Sequence, residues 1–332
     1  MLRTIPVIDL SAARHGTIDD RRAVARTIDR TCREVGFFTV TEHGVAVPII
    51  DALRAKAHDF FALPLAEKRK AIHPVPATPR GYRALGIEAL AYGNDRPSPP
   101  DLKEYYHFGR ESWPADPYHT GAEGGRYFIP NLWPAEPPGF AEAAARYYAA
   151  MEGLAALLMR LTALALGCDE QFFESRIDRH ITAMRLNFYP AQPEAPQSGQ
   201  LRAGEHTDYG AFTILNGENA PGGLQVLTRD GAWIDVETDP ASFVVNIGDL
   251  LMRWTNDRWV SNMHRVVNPP RDVAPSAKRL SIAFFQHPNY DAVIDCIAPP
   301  GQAKYPAVRS GEYRDLKYRE TRIADAEGTG SQ

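Results

Sequence analysis

The sequence predicts a mainly β protein, a sandwich or jelly roll, with a helical region in front of it. Three observations lead there. After about residue 180 the apolar residues alternate with a period of two. Segments 181–189, 205–215, 223–228, 232–236, 242–247, 250–254, 263–267 and 279–286 all read as short strands. Turn signals such as Arg229-Asp230-Gly231 and Ile247-Gly248-Asp249-Leu250 punctuate them, as in two-sheet architectures.

The front of the chain follows a helical period. Met1 to Leu10 carries one arginine and no apolar run, so it reads as neither a signal peptide nor an anchor. Val24, Ile28 and Val35 recur at helical spacing, with Gly36 as the stop. Phe37 to Thr41 then reads as a strand, and a second helix begins near Pro48, burying Leu53, Ala57 and Phe60 or Phe61. Residues 73–138 are rich in proline, glycine and aromatic residues and show poor periodicity. A long helix runs from about Phe140 to a C-cap at Gly167. Its interruption by Glu142, Arg146, Glu152 and Arg160 suits an amphipathic helix better than a membrane span. Pro190 to Gly204 reads as an exposed loop, and Ile323 to Gln332 as a frayed tail.

Composition narrows the function. The 332 residues are 44% hydrophobic and 23% charged, enough to bury a large core without disulfides. Lysine and arginine number 37 against 41 acidic residues, a net charge of −4. With no basic run, a nucleic-acid partner is not expected. Cys32, Cys168 and Cys296 are far apart and in no CxxC pattern, so neither a disulfide framework nor a zinc knuckle is expected. The composition predicts a soluble, cytoplasmic protein.

Three fragments carry chemistry. On a strand, His206 and Asp208 of Glu205-His206-Thr207-Asp208 project to the same face. His264 lies within a second apolar strand, Asn262 to Val267. Two imidazoles and one carboxylate can occupy one face of an octahedral metal and leave three positions open, the facial arrangement of non-haem Fe(II) oxygenases. An isolated HxD pair also arises often by chance, so the pair alone does not decide. In Lys278 to Phe285, alternation puts Arg279, Ser281, Ala283 and Phe285 on one face and Leu280, Ile282 and Phe284 on the other. An arginine inside an apolar strand needs an anion, either a ligand carboxylate or a protein carboxylate in a salt bridge. Residues 181–189 repeat this pattern, with Arg185, Asn187 and Tyr189 on the polar face.

The order of these fragments resembles the iron- and 2-oxoglutarate-dependent dioxygenases of the isopenicillin N synthase-like superfamily. The resemblance begins at Ile5-Pro6-Val7-Ile8-Asp9-Leu10, Val35-Gly36-Phe37-Phe38 and His43-Gly44. It continues through Arg185 to Pro190, His206-Thr207-Asp208, Gly222 to Val226, Val245 to Asp249, His264-Arg265-Val266 and Arg279-Leu280-Ser281. It implies a double-stranded β-helix core and Fe(II) held by His206, Asp208 and His264. It also implies that Arg279 and Ser281 bind the distal carboxylate of 2-oxoglutarate, with Asn187 and Tyr189 near that cosubstrate. Gly248-Asp249 would be a structural turn. The implied division is an N-terminal helical or mixed region, 1–135, a β-helix core with its supporting helix, 136–320, and a tail, 321–332, working as one catalytic unit. Asn216 to Pro221 and residues 73–138 depart from commoner family versions, which leaves the substrate open.

The resemblance further implies oxidation of a small molecule, most readily hydroxylation, using O₂ and releasing succinate and CO₂. Desaturation or cyclisation are other outcomes of the same chemistry. Phe212, Leu215 and Phe285, together with Arg83, Tyr105, Tyr106 and Arg185, are the substrate-pocket candidates; core packing is the competing role for each. Two other functions remain open at this point: an Fe(II)/O₂ oxidase that does not use 2-oxoglutarate, and a non-catalytic ligand-binding jelly roll.

Overall fold

A computed structural model describes residues 4–75, 78–91 and 99–320. The expected tail, 321–332, lies outside them. The front comprises β1 (Val7–Asp9), α1 (Ser11–His15), α2 (Ile18–Glu34), β2 (Phe37–Thr41), α3 (Val47–Ala62) and α4 (Leu65–Arg69). Then come β3 (Gly81–Arg83), β4 (Glu104–Gly109), α5 (Pro117–Thr120), α6 (Phe140–Ala165) and α7 (Glu174–Ile177). The β half contains β5 (Ala183–Tyr189), β6 (Ala203–His206), β7 (Phe212–Gly217), β8 (Leu224–Leu227), β9 (Trp233–Asp235) and β10 (Phe243–Ile247). It closes with α8 (Asp249–Trp254), β11 (His264–Val266), β12 (Arg279–Gln286), β13 (Val293–Ile294), β14 (Val308–Arg309) and α9 (Ser310–Glu320).

The helices start and stop for local reasons. Thr17 and Asp20 form a reciprocal capping box that starts α2. Gly36 ends that helix region in a left-handed conformation, φ 68°, as its position after Val35 predicts. Pro48 sits in the first turn of α3, where its missing N–H costs nothing. Helix α6 is long and apolar enough to cross a membrane, but more than half of its most apolar stretch is buried inside the fold. Its buried face packs with α2 and α3.

Two open sheets form the core. The larger has eight strands in the order β1-β2-β10-β7-β12-β5-β4-β3, and the smaller four, β6-β11-β8-β9. Only β1–β2 is parallel among the described pairs. In the large sheet, Met184, Leu186 and Phe188 of β5 and Leu280, Ile282 and Phe284 of β12 join the main apolar cluster with α3 and α6. Phe61 stacks on Phe188, ring centroids 4.9 Å apart, and Tyr148 lies 5.5 Å from Phe284. Alternation therefore sends Arg185, Asn187, Tyr189, Arg279 and Ser281 to the opposite face, toward the small sheet.

Several expectations need correction. Residues 205–215 are not one strand: β6 ends at His206 and β7 begins at Phe212. Residues 250–254 lie in α8, because Leu250, Leu251 and Trp254 bury at helical rather than alternate spacing. The irregular stretch 73–138 supplies two strands, β3 and β4, to the large sheet. The loop before β6 is not wholly exposed: Arg202 is fully buried and donates to the carbonyls of Pro221, Gly222 and Ala277.

Candidate active site

A cavity of about 1080 Å³ lies between the two sheets, lined by His206, Asp208, His264, Arg279, Ser281, Arg185, Asn187 and Tyr189. His206 ends β6 and His264 begins β11, and the pairing of these strands sets the two residues directly opposite each other. Asp208 follows two residues after His206 in a non-strand segment. That segment is tied down by the backbone: the Asp249 N–H donates to the Asp208 carbonyl at 2.7 Å, and Gly248 N–H to Ala211 at 2.9 Å. The Gly248-Asp249 turn thus has the structural role expected of it, at the start of α8.

One ligand atom from each of His206, Asp208 and His264 lies within 4.8 Å of the others. Nδ1 of His206 faces the Gly204 carbonyl at 2.7 Å, and Nδ1 of His264 faces Asn262 O at 3.2 Å. Nδ1–H donation there leaves each Nε2 lone pair available to a metal. Thr213 Oγ1 and Asn246 Nδ2 both donate to Asp208 Oδ2, at 2.6 and 2.7 Å, and so fix the carboxylate. Burial alone would raise the Asp208 carboxyl, but the two imidazoles and these hydrogen bonds bring it below its ordinary value. Burial, and then the neighbouring His264 imidazole, lower His206 well below its ordinary value, which suits a neutral ligand.

Arg279 is 1% exposed, and its Nε and Nη2 have no hydrogen-bond partner among the described residues. The register places it opposite Tyr189, and Ser281 opposite Asn187. The Tyr189 ring lies 5.5 Å from the guanidinium. A buried arginine with unmet donors, a hydroxyl two residues on and a carboxylate–imidazole cluster in the same cavity can take a dicarboxylate beside a metal.

Of the pocket candidates, Arg83, Tyr105, Arg185, Leu215 and Phe285 line the cavity. Phe212 and Tyr106 do not; both face the apolar core on the other side of the large sheet. Each is one residue out of phase with a cavity neighbour, Thr213 and Tyr105 respectively. Sequence reasoning missed Glu88, Lys103, His107 and His287, all on the cavity wall. The alternation of β4 carries a signal for His107, since it shares the face of Tyr105. Glu88 has none, because it lies in an irregular segment.

A jelly-roll core of two facing sheets with a two-histidine, one-aspartate cluster between them defines a class, the non-haem iron oxygenases. The comparisons agree. The chain belongs to the 2OG-Fe(II) oxygenase superfamily: that family's model matches residues 181–288, and the model described as the N-terminal region of non-haem dioxygenase in morphine synthesis matches residues 5–136. The chain is 34% identical to the 2-oxoglutarate-Fe(II) type oxidoreductase hxnY of Emericella nidulans, over 91% of this chain and 86% of that protein. It is 31% identical to validamycin A dioxygenase of Streptomyces hygroscopicus subsp. limoneus, over 99% and 90%. Among solved structures it is similar to a full-length Neurospora crassa protein in complex with alpha-KG and thymine, with a TM-score of 0.81, 33% identity and coverage of 95% and 96%. The protein is an Fe(II)- and 2-oxoglutarate-dependent dioxygenase that oxidises small molecules with O₂.

Proposed function

We propose that His206, Asp208 and His264 hold the iron, and that Arg279 and Ser281 receive the distal carboxylate of 2-oxoglutarate beside Asn187 and Tyr189. The observation that carries this reading is the pair of unmet Arg279 donors at the wall of the cavity that contains the three-residue cluster. Bound iron and 2-oxoglutarate supply the oxidising power for cleaving a substrate C–H bond, with succinate and CO₂ as co-products. The chain's own share is positioning. Thr213 and Asn246 orient Asp208, the Gly204 and Asn262 carbonyls orient the imidazoles, and the apolar wall at Leu215 and Phe285 limits water around the reacting carbon.

Hydroxylation of a small metabolite is the proposed outcome. Residues 1–135 and 136–320 act as one catalytic unit in this reading, because β3 and β4 from the front extend the large sheet and line the same cavity. The three cysteines are free, which is consistent with a cytoplasmic setting. The test is calorimetric titration of 2-oxoglutarate, without O₂, into iron-loaded wild type and Arg279→Ala. Loss of a charged, buried contact predicts weakening on the order of 30-fold or more, about 2 kcal/mol. Equal affinities would place the distal carboxylate of 2-oxoglutarate away from Arg279.

A further inference from the structure

The last helix, α9, follows both sheets in the chain and still reaches the cavity, through Tyr318. Its start is tied to the loop after β12: Ser310 and Gly311 N–H donate to the Ala292 and Tyr290 carbonyls, at 2.9 and 2.8 Å. In its middle, Asp315 accepts from Tyr127 Oη at 3.0 Å and pairs with Arg126. Near its end, the Tyr318 ring lies 5.8 Å from that of Tyr209, the residue after Asp208. The neighbouring Lys317 meets a carboxylate oxygen of Asp249 at 3.2 Å.

Asp249 is 6% exposed and touches both segments that carry the acidic and the distal histidine members of the cluster. Its N–H holds the Asp208 carbonyl, and the next N–H, of Leu250, donates to the Gly210 carbonyl at 3.2 Å. Its side chain accepts from Ser261 Oγ at 2.7 Å, three residues before His264. The packing around these bonds leaves no slack. A Cβ on Gly248 would stand 2.3 Å from the Gly210 carbonyl oxygen, and one on Gly210 would stand 2.5 Å from that of Gln286. The segment after Asp208 is therefore clamped between the first turn of α8 and the end of β12. A displacement of Asp249 passes to the Asp208 backbone, because a close-packed contact transmits strain instead of absorbing it.

A buried carboxylate held by one hydroxyl is costly without a cation. Among the described residues Lys317 is the one cation within 4.0 Å of Asp249. We infer that Lys317 is a positioning residue for the iron: its ammonium fixes the Asp249 carboxylate, and Asp249 in turn fixes the Asp208 and His264 segments at the spacing the metal needs. Helix α9 thus supports the metal site as well as walling the cavity. The inference rests on the reading that Asp208 and His264 hold the iron.

The test is anaerobic Fe(II) titration with chelator competition, on the intact protein and on Lys317→Met, Lys317→Arg and Asp315→Asn, each also checked for Tm. Lys317→Met keeps the length of the side chain and removes the charge. It should weaken iron about tenfold or more, as loss of an outer partner does, with Tm near wild type. Lys317→Arg should restore most of the affinity. Asp315→Asn cuts the hold of α9 on Tyr127 and Arg126 without touching Asp249, and should bind iron like wild type. In an Asp249→Asn background, Lys317→Met should add no further loss.

Wild-type iron affinity in Lys317→Met overturns the inference, and so do losses that add in the Asp249→Asn background. An equal loss in Lys317→Arg or in Asp315→Asn also overturns it, because the charge would then not be the cause. Unfolding of Lys317→Met does so too, since the pair would then hold the fold and not the metal. Asp208→Ala, measured alongside, reports on the ligand assignment itself. Tight iron in that variant sinks the assignment, whereas lost iron there with an unchanged Lys317→Met sinks the role of Lys317 alone.

Discussion

Asp208 shows how much of the chemistry rests on single side chains. One of its oxygens accepts from both Thr213 and Asn246, and these bonds orient a carboxylate that burial alone would neutralise. Asn246→Ala should weaken Fe(II) binding about 10- to 100-fold, as removal of an outer hydrogen-bond partner does. Competition with a chelator measures this, and unchanged affinity would deny Asn246 its positioning role. At this scale the sequence was informative where residues stand in a short pattern. His206 and Asp208 are visible as HxD, although they do not share a strand: the chain leaves β6 after His206, and the backbone tie to Asp249 brings the carboxylate back. Phe212 and Tyr106 were misplaced because a shift of one residue on a strand reverses the face. His107 and His287 belong to no motif; the alternation of β4 points to His107 through Tyr105, whereas His287 lies just past the end of β12 and only the packing joins it to the cavity.

Among the elements, β5 and β12 divide the labour between their two faces. Leu186 and Ile282, directly paired, are buried under the helices, while the alternate residues face the cavity. Leu186→Ala should cost about 2–5 kcal/mol of stability from lost burial and a residual cavity. Denaturant unfolding checks this, and iron affinity should stay within error of wild type; a stability change below about 1 kcal/mol would mean the core tolerates the gap. The alternation that makes this prediction was legible from sequence for β5 and β12, because both are long and regular. It failed at α8, where Leu250-Leu251-Met252 is a short apolar run that fits either a strand or a helix. It also failed at β3 and β4, whose flanking prolines and glycines hide a short period.

For the whole molecule, the question is what unites the front with the β core. The eight-stranded sheet does so through the backbone, running from β1 and β2 at one edge to β4 and β3 at the other. The Glu88–Arg185–Lys103 cluster does so through side chains. Burial would raise the Glu88 carboxyl, but Arg185 and Lys103 lower it to about 2. A depressed carboxylate contributes stability that is complete above its unfolded value, 4.5, and is lost as pH falls toward its folded value. Wild type should therefore lose more Tm than Glu88→Gln between roughly pH 5 and pH 3. Parallel curves would show that the cluster adds nothing to the joint. The pairing within this cluster is not readable in sequence, because Glu88 and Lys103 lie outside any motif, in elements separate from Arg185.

The central claim is that one iron sits on His206, Asp208 and His264. Anaerobic calorimetric titration of Fe(II) into wild type and into His206→Ala, Asp208→Ala and His264→Ala tests it most directly. Wild type should bind one iron per chain, and each variant, folded by circular dichroism, should lose that stoichiometric binding. Tight, stoichiometric iron in any of the three variants would contradict the assignment of that residue as a ligand, and in all three would move the metal site elsewhere.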